Sequence, residues 1–317
     1  MMEETYDFLF IIMDLPKQGR CSSDSWHPAI AALKEAKKIA KCPVGLITSL
    51  EENMPEKFAK DLIKHSIIPL TGLENSLAAV KALQNVSIQW KIKSTPSIIW
   101  ERWPNEKSRV LDEYQSKKVL SKIGINVPKG FVITDKNSLL NKFRTIKKAV
   151  ALKAIGINHK TDVSGVVLGI NNENELLNKF NNMKRLTRSK EFLIERQVDN
   201  CLVELLIGIV RDPQHGFMIT IAEGGVLSEL RKDSVTLCMP CNKTEIARAL
   251  EKLKIWPLLN GYRNKKAANI NNIVLAIFSL QRYALKERAR LVELEINPLL
   301  VKSNQVVAAD ALIRENY

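Results

Sequence analysis

The sequence predicts a multidomain protein that combines α/β and α+β architecture. Its 317 residues are enough for two or three domains of ordinary size. With 45% hydrophobic and 26% charged residues, the chain has the material for packed cores and a charged surface. Apolar strands alternate with helical segments at the start of the chain, whereas several later strands follow one another directly. These two patterns predict two kinds of sheet.

The first 88 residues predict a small parallel-sheet domain. Short apolar runs, typical of strands covered on both faces, lie at 8–13, 43–48 and 67–70. Segments with helical spacing lie between and after them, at 27–40, 55–64 and 73–83. Alternating strands and helices imply right-handed crossovers between parallel strands. We therefore expect a flavodoxin-like layer over residues 1–88.

Residues 89–108 break this pattern and predict an interdomain linker. Two prolines and three of the five tryptophans fall here, namely Trp90, Trp100 and Trp103. Loose linkers rarely carry so much apolar surface, so we expect these tryptophans to pack against a neighbouring domain.

Residues 109–317 predict a larger, mixed domain. Its first half holds helices at 109–123, from a cap at Asp135 to 147, and from 171 onward, with strands at 127–133, 149–155 and 164–170. Its second half holds strands at 191–198 and 202–212 around a turn at Asp199-Asn200, then a strand at 216–222. Helices follow at 242–254, opened by an Asn242–Glu245 capping box, and at 271–286, before a hairpin that turns at Ser303-Asn304.

The net charge of +14 has two interpretations. Clustered Lys and Arg would indicate nucleic-acid binding, because they neutralise phosphates. Here the basic residues are spread through helical segments and aromatic residues make up only 6% of the chain, so we do not expect a nucleic-acid partner. A positive field that attracts small polyanions fits the same charge.

The N-terminal residues and the cysteines indicate a cytoplasmic protein. No apolar run approaches the ~20 residues of a membrane span, and no basic segment precedes the first apolar run as in a signal peptide. Five scattered cysteines do not form a disulfide framework. Cys238 and Cys241 form a CxxC without a second pair, so we expect neither zinc nor redox chemistry there.

Several polar residues stand at the ends of predicted strands. Lys153 closes an apolar strand, where a lysine taken alone is usually structural and reaches solvent. Glu195 and Glu204 lie on what the sequence predicts to be adjacent antiparallel strands, although single strand carboxylates commonly face solvent. Each of these signals is weak by itself.

The C-terminal hairpin predicts a magnesium site. Glu295 and Asn297 are two residues apart and project from the same face of one strand, and a hairpin of this length brings Asp310 alongside. Oxygen ligands from two strands suit Mg²⁺, which takes one or two protein oxygens and completes its shell with water and phosphate. The alternative is a turn stabilised by Asn and Asp.

The order of these features resembles an ATP-grasp domain, in particular the nucleotide-binding half of the NDP-forming acyl-CoA synthetases, relatives of succinyl-CoA synthetase. The resemblance covers about 107–316 and is carried by SKKVLSKIGINVP, AVALKAIGINHKTDVSGVVLGI, FLIERQV, VELLIGIVRDPQHG, EGGVLSEL, LLNGYRN and ELEINPL. It implies a two-lobed domain, with a small lobe at about 125–195 and a large lobe at about 196–317. Residues 5–88 are similar to the small ligase-type domain of fused members.

The resemblance implies a role for each candidate residue. Lys153 would contact ATP phosphates, the segment from Glu195 to Val198 would be the adenine-side hinge, and Glu204 would bind the ribose. The loop with His159, Lys160 and Thr161 would cover the phosphates, and Gly224 and Gly225 would form the glycine turn of the large lobe. Mg²⁺ would be held by Glu295, Asn297 and Asp310.

His159 is the candidate phosphoryl carrier. In such enzymes a phosphoryl group travels on histidine, because neutral imidazole is a good nucleophile near pH 7. Lys160 would offset the negative charge of the transferred group. The alternative is a histidine that only forms hydrogen bonds across its loop.

The resemblance implies the ATP-grasp, β-like subunit of an ADP-forming acyl-CoA synthetase that uses ATP and Mg²⁺. Coenzyme A would bind mainly to a separate ligase chain that carries the principal phosphohistidine, in a hetero-oligomer acting on a small carboxylic acid. Ser164 and Asn264 replace glycines that the family favours. A free-standing ATP-grasp ligase that makes an acyl-phosphate, and a degenerate nucleotide-binding regulator, remain alternatives.

Overall fold

The chain forms two compact units, Met1–Lys93 and Ser94–Tyr317, in a computed structural model. The structure describes residues 6–16, 22, 24–91, 107–157, 164–225, 232–263 and 266–317. Within these residues no helix is long and apolar enough to cross a membrane.

The first unit is built on a parallel sheet with strand order β1-β2-β3, as the alternating pattern predicted. Its strands are β1 (Leu9–Ile12), β2 (Val44–Ile47) and β3 (Ile68–Leu70), and its helices are α1 (His27–Ile39), α2 (Glu56–Lys64) and α3 (Leu73–Lys91). The core forms where Ile30 and Leu33 of α1 and Leu62 of α2 cover Leu46 of the central strand. The small flavodoxin-like layer is confirmed.

Helix α3 continues to Lys91, eight residues beyond its predicted end at Leu83. Residues 73–91 contain no glycine or proline, so nothing in the chain stops the helix. The helix therefore takes up the first part of the predicted linker, including Trp90. Trp100 and Trp103 lie outside the described residues.

The second unit contains two sheets. The larger has the order β11-β10-β9-β12-β14-β4, with β13 paired to β12. Its strands are β4 (Ser108–Leu111), β9 (Val203–Asp212), β10 (Gly216–Glu223), β11 (Ser234–Cys238), β12 (Leu291–Val301), β13 (Val306–Ala308) and β14 (Ala311–Asn316). Helices α7 (Lys243–Glu251), α8 (Trp256–Leu259) and α9 (Ile270–Lys286) pack on this sheet and share its core.

The smaller sheet has the antiparallel order β5-β8-β6-β7. Its strands are β5 (Gly130–Ile133), β6 (Val150–Ala154), β7 (Val166–Ile170) and β8 (Phe192–Arg196). Helices α5 (Lys136–Thr145) and α6 (Glu173–Thr187) cover it, and Phe180 of α6 meets Phe192 of β8 with ring centroids 4.9 Å apart. A two-lobed domain, as the resemblance implied, is therefore present.

The predicted helix at 109–123 was wrong at its start. Residues 108–111 form β4, which pairs with β14 at the edge of the large sheet, and Arg109 donates to Glu315 at 2.6 Å. The helix, α4 (Glu113–Lys122), begins after Asp112, whose side chain caps it. The large lobe thus also takes a strand from ahead of the small lobe.

The predicted pairing of the strands that carry Glu195 and Glu204 was also wrong. β8 pairs with β5 and β6 in the small sheet, whereas β9 pairs with β10 and β12 in the large one. The connection at Asp199-Asn200 therefore joins two lobes and is not the tip of a hairpin. Consecutive strands of alternating pattern give no signal that distinguishes these two arrangements.

Candidate active site

Four charged side chains form a buried group in the second unit. Lys153 projects from β6 and Glu195 from the neighbouring β8, while Glu113 and Lys117 lie one turn apart on α4. Their exposed fractions are only 5%, 2%, 4% and 3% respectively. Charged residues are this deeply buried almost only when they are paired.

The four side chains close a ring of alternating charge, which we call the buried charge ring. The Lys153 ammonium lies 2.8 Å from Glu113 Oε1 and 2.7 Å from Glu195 Oε1. The Lys117 ammonium lies 2.7 Å from Glu113 Oε1 and 2.7 Å from Glu195 Oε2. Each lysine therefore bridges both carboxylates.

Lys153 also links the small lobe to the large lobe. Its ammonium donates to the backbone carbonyl of Ala309, 2.6 Å away. Burial disfavours the charged form, but the carboxylates of Glu113, Glu195 and Asp310 outweigh it and raise the pKa of Lys153. The side chain is therefore held as a cation inside the domain, and it does not reach solvent as an isolated strand lysine commonly does.

The predicted metal ligands meet on the large sheet next to Ala309. Pairing of β12 with β14 sets Ile296 opposite Ala311, and the amide of Asn297 donates to the carbonyl of Asp310 at 3.3 Å. Leu294 and Ile296 face the core, so Glu295 and Asn297 share the opposite face. The register expected from the hairpin is confirmed.

The pKa of Glu295, one of the predicted ligands, is raised. Burial and the nearby carboxylates of Glu293 and Asp310 raise its pKa, although a hydrogen bond with Asn297 acts in the opposite direction. Crowded carboxylates of this kind favour a bound cation, because the cation removes their mutual repulsion.

The donor set fits Mg²⁺. In the part of the chain that the structure describes, no three His, Cys, Asp or Glu side chains are grouped as ligands of one ion. Mg²⁺ needs fewer, because it is held by one or two carboxylates with water and phosphate oxygens. Asp310 and the amide oxygen of Asn297, with Glu295 beside them, offer such a set.

Glu204 and the glycine pair form a second cluster on the large sheet. The amide of Gly224 donates to the carbonyl of Glu204 at 2.8 Å. A Cβ built on Gly225 would lie 3.1 Å from Glu204 Oε2, and Gly225 has a φ of +90°. Strand pairing places Glu204 opposite Leu300, close along β12 to Asn297. The exposed Glu204 carboxylate is thus held against the glycine turn, as a ligand-binding carboxylate would be.

The predicted hinge, Glu195 to Val198, begins at the end of β8 and leads towards the large lobe. Glu195 turns its side chain into the buried charge ring, so a ligand would meet the backbone of this segment and not the Glu195 carboxylate. The amide of Gln197 donates to the Ala149 carbonyl at 2.9 Å, and Val198 is half-buried. This gives the segment a fixed course along the small sheet.

The loop with His159, Lys160 and Thr161 lies outside the described residues. Ser164, which follows it, has a φ of +55°. This is the left-handed region that favours glycine, so the backbone keeps a glycine-like conformation although serine occupies the position. Asn264 also lies outside the described residues.

Glu113 and Lys117 were not predicted as site residues. A signal was present, because Glu113, Lys117 and Leu120 fall on one face of a helix at spacings of four and three residues. Leu120 marks that face as the buried one. Two opposite charges on the apolar stripe of a helix indicate a buried ion pair, and buried ion pairs need further partners.

Comparison with protein-family models gives a match to the ATP-grasp domain over residues 102–314. The chain belongs to the ATP-grasp family. The matched region contains the buried charge ring, the glycine turn and the Asn297–Asp310 pair. An ATP-grasp domain implies that the chain binds ATP or ADP.

Curated relatives with similar sequences are ligases. The chain is 28% identical over 213 residues to the acetate–CoA ligase [ADP-forming] I subunit beta of Pyrococcus furiosus, covering 64% of this chain and 91% of that one. It is 26% identical over 287 residues to the acetate–CoA ligase [ADP-forming] of Methanocaldococcus jannaschii, covering 81% of this chain and 40% of that one. The chain thus spans less than half the length of the longer relatives.

A solved structure shows the same fold. It is a chain of the dinucleotide-forming acetyl-coenzyme A synthetase 1 of Ca. Korarchaeum cryptofilum, in complex with coenzyme A, Ca-AMPCP and HgCl+. The identity is 25% and the TM-score 0.60, and the match covers 65% of this chain and 93% of that one. The two-lobed part of the chain therefore has the fold of that synthetase chain.

Proposed function

We propose that this chain is the nucleotide-binding subunit of an ADP-forming acyl-CoA synthetase. The reaction is acid + CoA + ATP ⇌ acyl-CoA + ADP + phosphate. Cleavage of ATP between its β- and γ-phosphates, which yields ADP and phosphate, drives formation of the thioester. A separate chain binds coenzyme A and carries the principal phosphohistidine. The relatives named as beta subunits support this division of labour.

The observation that carries the proposal is the contact between Lys153 and the Ala309 carbonyl. This hydrogen bond brings the predicted phosphate-binding lysine of the small lobe beside the predicted metal ligands of the large lobe. Nucleotide phosphates bound there would meet a held cation on one side and oxygen ligands for Mg²⁺ on the other. Bound Mg²⁺ would neutralise the developing negative charge during phosphoryl transfer.

His159 is proposed to receive the γ-phosphoryl group during the reaction. A neutral ring nitrogen forms a bond to the γ-phosphorus while the bond to the β-phosphate oxygen breaks, and ADP leaves. Lys160 stabilises the transferred group by its charge. The phosphoryl group then passes to the acyl-CoA chemistry of the partner chain. This role for His159 is proposed because the segment His159–Asp162 resembles the corresponding loop of the family.

Thermal unfolding with and without Mg·ADP tests nucleotide binding. A ligand that binds only the folded protein raises the melting temperature by mass action, by an amount equivalent to about 2.7 kcal/mol at 100 times the Kd. We expect millimolar Mg·ADP to produce such a shift in the wild type, and Lys153→Met to lose most of it. Lys147→Met, which removes an exposed lysine of the small lobe, is the control and should keep the full shift.

The shift is compared within each variant, because Lys153→Met also lowers the baseline stability by opening the buried charge ring. An unchanged melting temperature of the wild type at millimolar Mg·ADP would contradict the proposed function. A full shift of the melting temperature in Lys153→Met would show that Lys153 does not contribute to nucleotide binding.

A further inference from the structure

The charges of the buried charge ring cancel. Lys117 and Lys153 supply two positive charges, and Glu113 and Glu195 supply two negative ones. All four side chains are at most 6% exposed, so water and salt screen their fields weakly. A change of one charge in this ring therefore changes the potential at each of the other members.

Lys153 with its two carboxylates would not attract a phosphate. Glu113 and Glu195 both lie within 2.8 Å of its ammonium, and one positive charge with two negative ones leaves an excess of negative charge. A nucleotide polyphosphate approaching Lys153 would meet this excess at close range. Lys117 removes the excess within the ring, because its ammonium contacts both carboxylates at 2.7 Å. The nearby Asp310 carboxylate lies outside the ring, and bound Mg²⁺ would offset its charge.

We propose that Lys117 is a positioning residue for polyphosphate binding: together with Lys153 it offsets the negative charge of the Glu113–Glu195 pair, so that Lys153 is held in place and the pair does not repel the phosphates of a nucleotide. The proposal rests on the proposed function, since it takes nucleotide as the ligand of Lys153. Lys117 acts through the two carboxylates and does not touch the ligand.

The position of Lys117 supports this role. It lies four residues after Glu113 on α4, so the same helix turn fixes both a carboxylate of the ring and the lysine that compensates it. The Asp112 capping box fixes the start of that turn. Two carboxylates with Lys153 as their only cation would be costly to bury, and Lys117 offsets that cost.

The test is the binding of Mg·ADP and of adenosine to the whole chain, because adenosine presents no phosphate charge. Lys117→Met removes one positive charge at nearly constant volume. The double variant Lys117→Met with Glu113→Gln removes one charge of each sign and restores neutrality. Lys118→Met is the matched control, since Lys118 follows on the same helix, is exposed, and lies 4.4 Å from the Tyr114 ring centroid.

We expect Lys117→Met to weaken Mg·ADP binding by about tenfold or more, while adenosine binding changes by less than about twofold. The double variant should return to within about threefold of the wild-type affinity for Mg·ADP, because charge compensation is restored. Lys118→Met should bind both ligands as the wild type does. Glu113→Gln alone should bind Mg·ADP at least as tightly as the wild type.

Three results would overturn the inference: wild-type Mg·ADP affinity in Lys117→Met, an equal loss for Mg·ADP and adenosine, or a double variant no better than the single one. If Lys117→Met does not fold, the Mg·ADP affinities of the double variant and of Glu113→Gln test the inference. In that case, weaker Mg·ADP binding in Glu113→Gln than in the wild type overturns the inference. Failure of the wild type to bind Mg·ADP would contradict the proposed function instead.

Discussion

Gly225 is expected to affect both the stability of the fold and the binding of nucleotide. Its φ of +90° is unfavourable for any L-residue with a side chain, and Glu204 Oε2 lies only 3.1 Å from the position that a Cβ would take. We expect Gly225→Ala to lower the free energy of unfolding by about 1–2 kcal/mol. It should also weaken Mg·ADP binding, because the added methyl group displaces the Glu204 carboxylate.

Gly124→Ala is the matched control for this prediction. Gly124 has a similar φ of +86°, but nothing lies within 4 Å of the position that a Cβ would take there. Urea unfolding should show a similar loss in both variants, and Mg·ADP titration should show a loss only in Gly225→Ala. Equal Mg·ADP affinity in the two variants would show that Glu204 does not contribute to nucleotide binding.

Cys241 is predicted to be chemically inert while the protein is folded. Burial, with a contribution from Glu245, raises the pKa of its thiol to about 11, and the thiol contacts Gln281 Oε1 at 3.2 Å. Since the thiolate is the reactive form, iodoacetamide at pH 8 should label the exposed Cys238 and leave Cys241 unmodified. Peptide mass mapping reads the result, and denaturant should make both reactive. Labelling of folded Cys241 would contradict this.

At the scale of residues, the sequence predicts which candidate side chains come together better than it predicts the surroundings of each one. Lys153 was identified because it closes an apolar strand, and Asn297 and Asp310 were identified from the spacing of the C-terminal hairpin. The structure brings the three to neighbouring positions. The environment of Lys153 was not predictable, because it depends on α4, a helix 40 residues earlier in the chain. Strand periodicity carries no information about such a partner.

At the scale of elements, capping boxes fix the starts of three described helices of the second unit, α4, α5 and α7. Asp112 accepts from the amide of Gln115 at 2.8 Å at the start of α4, and Asn242 accepts from Glu245 at 2.9 Å at the start of α7. We expect Asp112→Ala and Asn242→Ala each to lower the free energy of unfolding by about 1 kcal/mol.

Conservative changes provide the controls for these caps. Asp112→Asn and Asn242→Asp keep a side-chain oxygen at the same position and should retain most of the stability in urea unfolding. Loss of the same size in the conservative variants would show that the effect does not come from capping.

Local signals predicted most elements but not how the strands pair. Asp135 and Asn242 marked helix starts correctly, because a cap acts within a few residues. Residues 109–111 were taken as part of a helix, because the helical spacing of α4 extends backward into them. Their partner, β14, lies some two hundred residues away, and only that partner makes them a strand.

At the scale of the whole molecule, the proposed division of labour predicts that the purified chain binds Mg·ADP but forms no acyl-CoA. Addition of a CoA-binding partner chain should restore turnover, and His159→Gln in that complex should reduce it, because an amide is not a nucleophile. Acyl-CoA formation is measured as thioester, with release of ADP and phosphate. Lys147→Met serves as the control. Formation of acyl-CoA by the single chain would contradict the division, and free acyl-phosphate would favour the alternative ligase.

During synthesis the edge strand β4 is made long before its partner strand, β14. Arg109 of β4 and Glu315 of β14 are 206 residues apart, so at about 5–20 residues per second β4 is made tens of seconds before β14 exists. An unpaired strand edge in a growing chain can pair wrongly with another chain. β4 is short, Lys107 directly precedes it and Arg109 lies within it, and such charges oppose edge-to-edge association. Arg109 pairs with Glu315 in the folded protein. Before Glu315 is synthesised, we expect the charge of Arg109 to reduce aggregation of the nascent chain.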